Sequence, residues 1–369
     1  MAALTDLTGK LTQLSTYQFA VGLHCDLWKA ALGDSGQLVV VKAVRTSWNS
    51  PEDLCKVQRR ILREIKVLSA LDHPNIIPFL GVTYGFGRAE IPSPVCPLYE
   101  SGDIVQYLKR ESLPTRDRFK LISQVAAGLS YLHRRGVVHG DIKGANILIG
   151  ENGALLCDFG LSRILGAEGF TTQAIGGTCR WMAPELLLND DDETLPRLTI
   201  FSDVWAFAMT VLEIMTGRRP FSDKLADVAV LLAVINGGRP YHRDYREIDD
   251  GTWTILSLCW QQKPRERLSM NMLGLFFDLA AYMKSPDQAK KMWDEASRIL
   301  ELSPKEQGNS GSPYGGVSYP CQWPHCQDSL PHLEYRQKHE VEHASLVPHS
   351  TTRWPEPRKV VRDGHTPGA

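Results

Sequence analysis

The spacing of apolar positions changes along the chain. Between residues 16 and about 99 it reads mostly as strands plus one helix. Leu38 to Val44 is a β-branched run broken once, by Lys42, and Val57 to Leu71 places Val57, Ile61, Ile65 and Leu68 on one helical stripe. Residues 100 to about 283 read mostly as helices, over Ile104 to Lys109, Phe119 to Arg134, Ser202 to Thr216, Leu225 to Asn236, Trp253 to Trp260 and Met270 to Met283. Between Arg135 and Glu185 lies a Gly-rich, loop-heavy stretch with a short hairpin inside it. Beyond Lys284 the periodicity fades. Residues 303–320 are rich in Ser, Pro and Gly, as linkers are, residues 319–343 concentrate Cys and His, and residues 344–369 read as disordered.

Composition narrows the class. The 369 residues are 43% hydrophobic and 22% charged, which excludes a collagen-like, disulfide-scaffold or wholly disordered chain. Lys and Arg number 41 against 42 Asp and Glu, so no global basic field points to nucleic acid. Val204 to Met215, the best membrane candidate, is too short and holds Glu213. Met1 to Lys10 has no basic region followed by an apolar run. The expectation is an intracellular protein, cytoplasmic or nuclear, with no membrane partner. Six cysteines are scattered singly through apolar contexts and are expected as reduced, buried thiols; only Cys321 and Cys326 form a close pair.

The hairpin carries the first chemical signal. Ile147-Leu148-Ile149 and Ala154-Leu155-Leu156-Cys157 flank the turn Gly150-Glu151-Asn152-Gly153. Pairing Ile149 with Ala154 sets Asn146 opposite Cys157, and Asp158 emerges beside Asn146 at the open end. An amide oxygen and a carboxylate meeting there suit Mg²⁺, which prefers hard oxygen ligands. Asp141, five residues before Asn146, is a candidate to orient and deprotonate a hydroxyl nucleophile, and Lys143 would offset charge on the transferring group.

These residues form a recognisable series. His139-Gly140-Asp141-Ile142-Lys143-Gly144-Ala145-Asn146 resembles the catalytic loop of protein kinases, Asp158-Phe159-Gly160 their metal-binding triplet, and Ala183-Pro184-Glu185 the end of their activation segment. The resemblance implies an α+β, bilobal fold over 16–285, with a β-rich N-lobe to 99 and a helical C-lobe beyond it. It implies ATP and Mg²⁺ (or Mn²⁺) as cofactors and protein substrates as partners. Lys42, a charge inside a buried strand, needs a counter-ion, and Glu64 is the expected one; the resemblance gives that pair the α/β-phosphates. The competing reading is a surface Lys42 beside an Arg60–Glu64 helix pair. Asp203 resembles the anchor of the catalytic-loop backbone, and Arg267 the partner of Glu185. Cys96 to Glu100 would be the hinge whose backbone, at Pro97, Leu98 and Tyr99, reads adenine, with Cys96 guarding the inner pocket. Cys259-Trp260 and Trp181-Met182 look most like the tyrosine-kinase-like group, whereas Lys143 and Thr178 match the Ser/Thr pattern.

Two departures stand out. The Gly-rich loop falls on Ala20 to Leu27, where Gly22 alone survives, so the phosphate cradle is expected to be loose; Leu27 takes the family's apolar position over the nucleotide. Gly140 replaces the Arg that ordinarily pairs with an activation-segment phosphate, so a phosphate on Thr171 or Thr172 would find no partner there. An active Ser/Thr kinase therefore competes with a pseudokinase scaffold that binds partners or nucleotide without transfer.

The tail carries a second pattern. Cys321, Cys326, His339 and His343 follow the spacing C-x₄-C-x₁₂-H-x₃-H, resembling a C₂H₂ ββα finger over 317–345, after a linker at 286–316 and before a disordered tail at 346–369. Structural Zn²⁺ is the expected ligand. Arg336 stands where that fold has an apolar residue. With Arg336 and Lys338 against Asp328, Glu334, Glu340 and Glu342, the segment is acidic, which favours a protein-interaction module over nucleic acid.

Overall fold

The computed structural model describes residues 4–21, 25–45, 51–158, 178–187, 198–282, 319–320 and 329–330; the side chains at 34, 51–53, 56, 57, 60, 63, 64, 319, 320, 329 and 330 lie outside that description. The chain divides into two units, Met1–Ile299 and Leu300–Ala369.

The first unit begins with an antiparallel sheet. Its strands are β1 (Leu11–Gln13), β2 (Ala20–Val21), β3 (Cys25–Leu32), β4 (Gln37–Val44), β5 (Gly81–Thr83) and β6 (Ser93–Pro97). The order is β1-β3-β4-β6-β5, with β2 pairing with β3. The β-branched run 38–44 is β4, as its pattern predicts, and it lies centrally. Side chains alternate in direction along a strand, so Val39 and Val41 are fully buried on one face with Ala30 and Val95. Lys42 belongs to the opposite face, paired in register with Leu27, and Val40 is paired with Cys96. That face is where Lys42 meets Asp158.

One helix packs on this sheet, α1 (Pro51–Leu68). It starts earlier and stops earlier than the apolar stripe suggests. Pro51 pre-sets φ for the first helical turn and forgoes an N–H that has no partner there. Ile61 and Ile65 are fully buried against Val44, Val82 and Ile91, whereas Leu68 is only half-buried. The side chains of Val57 and Glu64 are among those not described.

The second lobe is helical: α2 (Ile104–Arg110), α3 (Thr115–Arg134), α4 (Ile200–Thr216), α5 (Asp227–Ile235), α6 (Asp250–Cys259) and α7 (Met270–Tyr282). The ring of Phe277 on α7 lies 6.1 Å from that of Phe119 on α3 and 5.8 Å from that of Phe207 on α4. These rings tie the long helices into one core. The hairpin is β7 (Ile147–Gly150) and β8 (Gly153–Leu156), in the predicted register with Ile149 facing Ala154.

Helix α4 is buried almost all round and is sharply delimited. Thr199 and Ser202 cap it reciprocally: the Ser202 N–H donates to Thr199 Oγ1 at 3.2 Å and the Thr199 N–H to Ser202 Oγ at 3.0 Å. Gly217, at φ 70°, ends it in the left-handed region.

Of the six single cysteines, Cys25, Cys157, Cys179 and Cys259 are buried free thiols, as expected. Cys55 departs from the expectation: it sits on the exposed side of α1, where its apolar neighbours face the core and it does not. No helix among the described residues is long and apolar enough to cross a membrane. In the second unit, β9 (Tyr319–Pro320) pairs antiparallel with β10 (Ser329–Leu330). Cys321, Cys326, His339 and His343 lie outside the described residues.

Candidate active site

The catalytic loop is held from below by α4. Asp203, in its first turn and 1% exposed, accepts the backbone N–H groups of His139 and Gly140, both at 2.8 Å. The same carboxylate accepts His133 Nε2 at 2.9 Å. Ten residues on, about 15 Å along the helix axis, Glu213 accepts the Gly144 N–H at 2.8 Å. Two acids on one rigid helix thus fix both ends of the loop. Gly144 has no room for a side chain, since a Cβ would stand 2.5 Å from Val105 Cγ2.

Within that frame the polar groups converge. Asn146 Nδ2 donates to the backbone carbonyl of Asp141 at 2.7 Å and to its carboxylate Oδ2 at 2.8 Å. Lys143 Nζ meets the same Oδ2 at 2.8 Å and donates to Thr178 Oγ1 at 2.9 Å. Asp141 Oδ1 is buried and accepts no hydrogen bond from the described residues. A buried carboxylate oxygen without a donor is costly, so such an atom marks a place where another donor belongs. One carboxylate oxygen of Asp141 is thus secured, and the other is left without a donor among the described residues.

The open end of the hairpin behaves as its register requires. The Cys157 N–H donates to Asn146 O at 3.0 Å, and Asp158 follows at φ 61°, a left-handed conformation uncommon for a side-chain-bearing residue. Its Oδ1 lies 2.8 Å from Lys42 Nζ. Burial disfavours the charge on each, yet their mutual attraction prevails: the Lys42 ammonium is held above its ordinary range and the Asp158 carboxyl below its own. The side chain of Asp158 is 45% exposed, so it remains reachable from solvent. The expected counter-ion of Lys42, Glu64, has a side chain outside the described residues; among the described residues Lys42 pairs with Asp158.

The hinge follows β6. Leu98 N–H donates to Leu38 O at 3.0 Å, extending the β4–β6 ladder by one residue. The backbone of Leu98 is thereby turned toward β4, and by strand alternation the Pro97 carbonyl points the other way. Tyr99 O is already an acceptor for the Gly102 N–H at 3.1 Å. The Cys96 thiol is pushed up to about 12 by burial, with Asp158 adding to the shift, so it stays neutral beside Lys42. Leu27 lies across the strand pair from Lys42. Gly22 is outside the described residues.

The supporting pairs expected from the sequence are in place. Arg267, with its side chain 0% exposed, grips Glu185 with two bonds, at 2.6 and 2.7 Å, and donates to Phe201 O at 2.9 Å. Cys259 and Trp260 are core residues. Sequence reasoning missed two others. Glu213 was legible only as a lone acid in an apolar helix, a signal that a buried partner exists. Arg180, 2% exposed, donates to Asp227 Oδ1 at 2.8 Å and to the carbonyls of Pro220 and Phe221 at 3.0 and 2.9 Å. No spacing rule would have singled it out.

The family described as protein tyrosine and serine/threonine kinase matches residues 15–277. This chain belongs to that family. Among curated relatives, MAP3K epsilon protein kinase 2 of Arabidopsis thaliana is 32% identical over 242 residues, covering 63% of this chain and 16% of that protein. Mitogen-activated protein kinase kinase kinase 2 of the same plant is 30% identical over 275 residues, 72% of this chain and 39% of that one. Probable serine/threonine-protein kinase kinX of Dictyostelium discoideum is 33% identical over 189 residues, 50% and 16% of the respective chains. The kinase domain is thus shared with relatives whose remaining length this chain does not span.

Proposed function

We propose that the chain is an ATP-dependent protein serine/threonine kinase. The observation that carries this reading is the pair of Asp141 oxygens, one secured by Asn146 and Lys143 and the other without a donor among the described residues. A substrate hydroxyl donating to Oδ1 would be oriented by it. The new O–P bond forms as the bond from the γ-phosphorus to the β-bridging oxygen breaks, and the hydroxyl proton passes to Asp141. Lys143 is positioned to offset charge on the transferring group, and Lys42 to hold the α/β-phosphates. Asn146 Oδ1 and Asp158 supply the hard oxygen donors that Mg²⁺ takes, since Nδ2 of Asn146 is committed to Asp141. Mg²⁺, when bound, neutralises phosphate charge. Pro97 and Tyr99 are the hinge groups left for adenine, and Leu27 packs over it. The Lys143–Thr178 bond and the names of the relatives favour Ser/Thr over Tyr as acceptor.

The test is transfer of labelled phosphate to a generic basic protein with Mg²⁺ or Mn²⁺, and its loss in Asp141→Asn. Equal silence of both proteins would favour the pseudokinase reading, which the degenerate Ala20–Leu27 loop motivates.

For the tail we propose a structural zinc site at Cys321, Cys326, His339 and His343, serving as a protein-interaction module. Support comes from the spacing and from the short antiparallel pair that brackets residues 321–328, where both cysteines lie. Metal analysis of the purified full chain should give one zinc per molecule, lost in Cys321→Ser/Cys326→Ser; less than stoichiometric metal in the unsubstituted chain sinks the assignment.

A further inference from the structure

A groove of about 620 Å³ lies beside the catalytic loop, lined by Ala145, by α2 and by the segment that follows α4. Its charges are not used by the transfer chemistry. Five cations reach it, and three of them are already engaged. Arg180 is held by Asp227 and the Pro220 and Phe221 carbonyls. Arg218 meets both oxygens of Glu247 at 2.8 Å, and Lys224 pairs with Asp223. The other two, Lys109 and Arg219, are exposed and have no ion-pair partner among the described residues.

The acids of the groove do not answer them. Asp103 Oδ1 accepts the Gln106 N–H at 2.9 Å as the cap of α2. Glu213 is buried, its Oε2 already taken by the Gly144 N–H, and burial pushes its carboxyl to about 7, so near neutral pH it carries only part of a charge. What the groove offers to a ligand is therefore positive. Arg180 adds rigidity: its bonds to Pro220, Phe221 and the Lys224 carbonyl (2.9 Å) pin the segment that carries Arg219 and Lys224.

Ala145, four residues after Asp141 in the same loop, lines this groove, so a polypeptide that presents a hydroxyl to Asp141 has the groove beside it. We propose that Lys109 and Arg219 select substrates with an anionic side chain, carboxylate or phosphate, close in sequence to the phosphorylated Ser or Thr. This rests on the kinase reading above and names its substrate class. Two solvent-exposed ion pairs are each modest, so together they give a preference of roughly tenfold, weakened by salt.

The test uses the full chain with Mg²⁺–ATP and four peptides sharing one serine acceptor, flanked by Glu, phosphoserine, Ala or Arg. The kcat/KM for the Glu or the phosphoserine peptide should exceed that for the Ala peptide about tenfold, chiefly through KM, with the Arg peptide lowest. Which of the two anionic peptides is preferred separates a carboxylate from a phosphate ligand. In Lys109→Glu/Arg219→Glu the order should invert, a ratio within one protein that does not depend on its folded fraction. No discrimination in the unsubstituted chain, or a preference that survives the double charge reversal, overturns the proposal. If no peptide is phosphorylated, the kinase reading fails instead. Fluorescence anisotropy with the Glu, phosphoserine and Ala peptides then still decides the groove, because equal affinities for the three would refute it.

Discussion

Asn146 holds Asp141 twice, through the main-chain carbonyl at 2.7 Å and the carboxylate at 2.8 Å. The amide is thereby fixed with its nitrogen toward the base and its oxygen left over. One side chain sets the position of the hydroxyl acceptor and supplies a candidate metal ligand. Asn146→Ala should remove both functions. Displacing a positioned group costs about 10²-fold in rate, so transfer should fall by at least that much. The metal concentration for half-maximal rate should rise as well. A variant with unchanged Mg²⁺ dependence would show that Asn146 acts on Asp141 alone.

Asp203 bears on stability as well as on catalysis. It accepts from two backbone N–H groups and one imidazole, and is almost wholly enclosed. Asp203→Ala strands those donors in the interior. The expected loss is about 3 kcal/mol or more, since each buried group left unsatisfied costs roughly 1–3 kcal/mol. Asp203→Asn should cost less, because one amide oxygen can still accept. Urea unfolding of the two variants measures the difference, and equal midpoints would contradict this account.

Much of this arrangement is legible in the sequence. A β-branched run broken by Lys42 gives a strand whose charge must be neutralised, and the four-residue turn at 150–153 fixes the register that sets Asn146 beside Asp158. Local rules suffice there, because strand alternation and hairpin pairing act over a few residues. The contact of Lys42 with Asp158 was not legible in the same way. Glu64 and Asp158 both satisfy the need for a counter-ion, and only tertiary packing brings Asp158 to 2.8 Å. Arg180 was hidden for a similar reason: its partners, Asp227 and the carbonyls of 220–225, lie some forty residues away. The start of α1 escaped the apolar stripe because Pro51, Glu52 and Asp53 carry no apolar period, although Leu54 already packs on the core. Glu213 was visible as an oddity without a reason, until Gly144 supplied one.

The Glu213 carboxyl makes stability depend on pH. Burial raises it from 4.5 to about 7, partly offset by the Gly144 N–H. A raised carboxyl favours folding while it is protonated, so this contribution is full below about pH 4.5. It is lost as pH rises through about 7. The span corresponds to about 3 kcal/mol at most. Glu213→Gln keeps an acceptor for Gly144 and cannot ionise. Its melting temperature relative to the unsubstituted chain should therefore climb between pH 5 and pH 8. A difference that stays flat across that range would show that Glu213 ionises normally in the folded protein.

Gly140 joins a conformational demand to a regulatory one. Its φ is 80°, and a Cβ there would stand 2.7 Å from Leu198 Cδ1. A left-handed backbone costs an ordinary residue roughly 1–2 kcal/mol, before the contact with Leu198 is relieved. Gly140→Arg should therefore lower stability by about that amount rather than install a phosphate-binding switch. With Gly at position 140 there is no cation at that position to receive a phosphate on Thr171 or Thr172, both of which lie outside the described residues. Phosphatase-treated protein, and the Thr171→Ala/Thr172→Ala variant, should retain transfer rates within tenfold of the untreated chain. A larger loss, restored by an upstream kinase, would mean that another cation receives the phosphate and that the loop is switched despite Gly140.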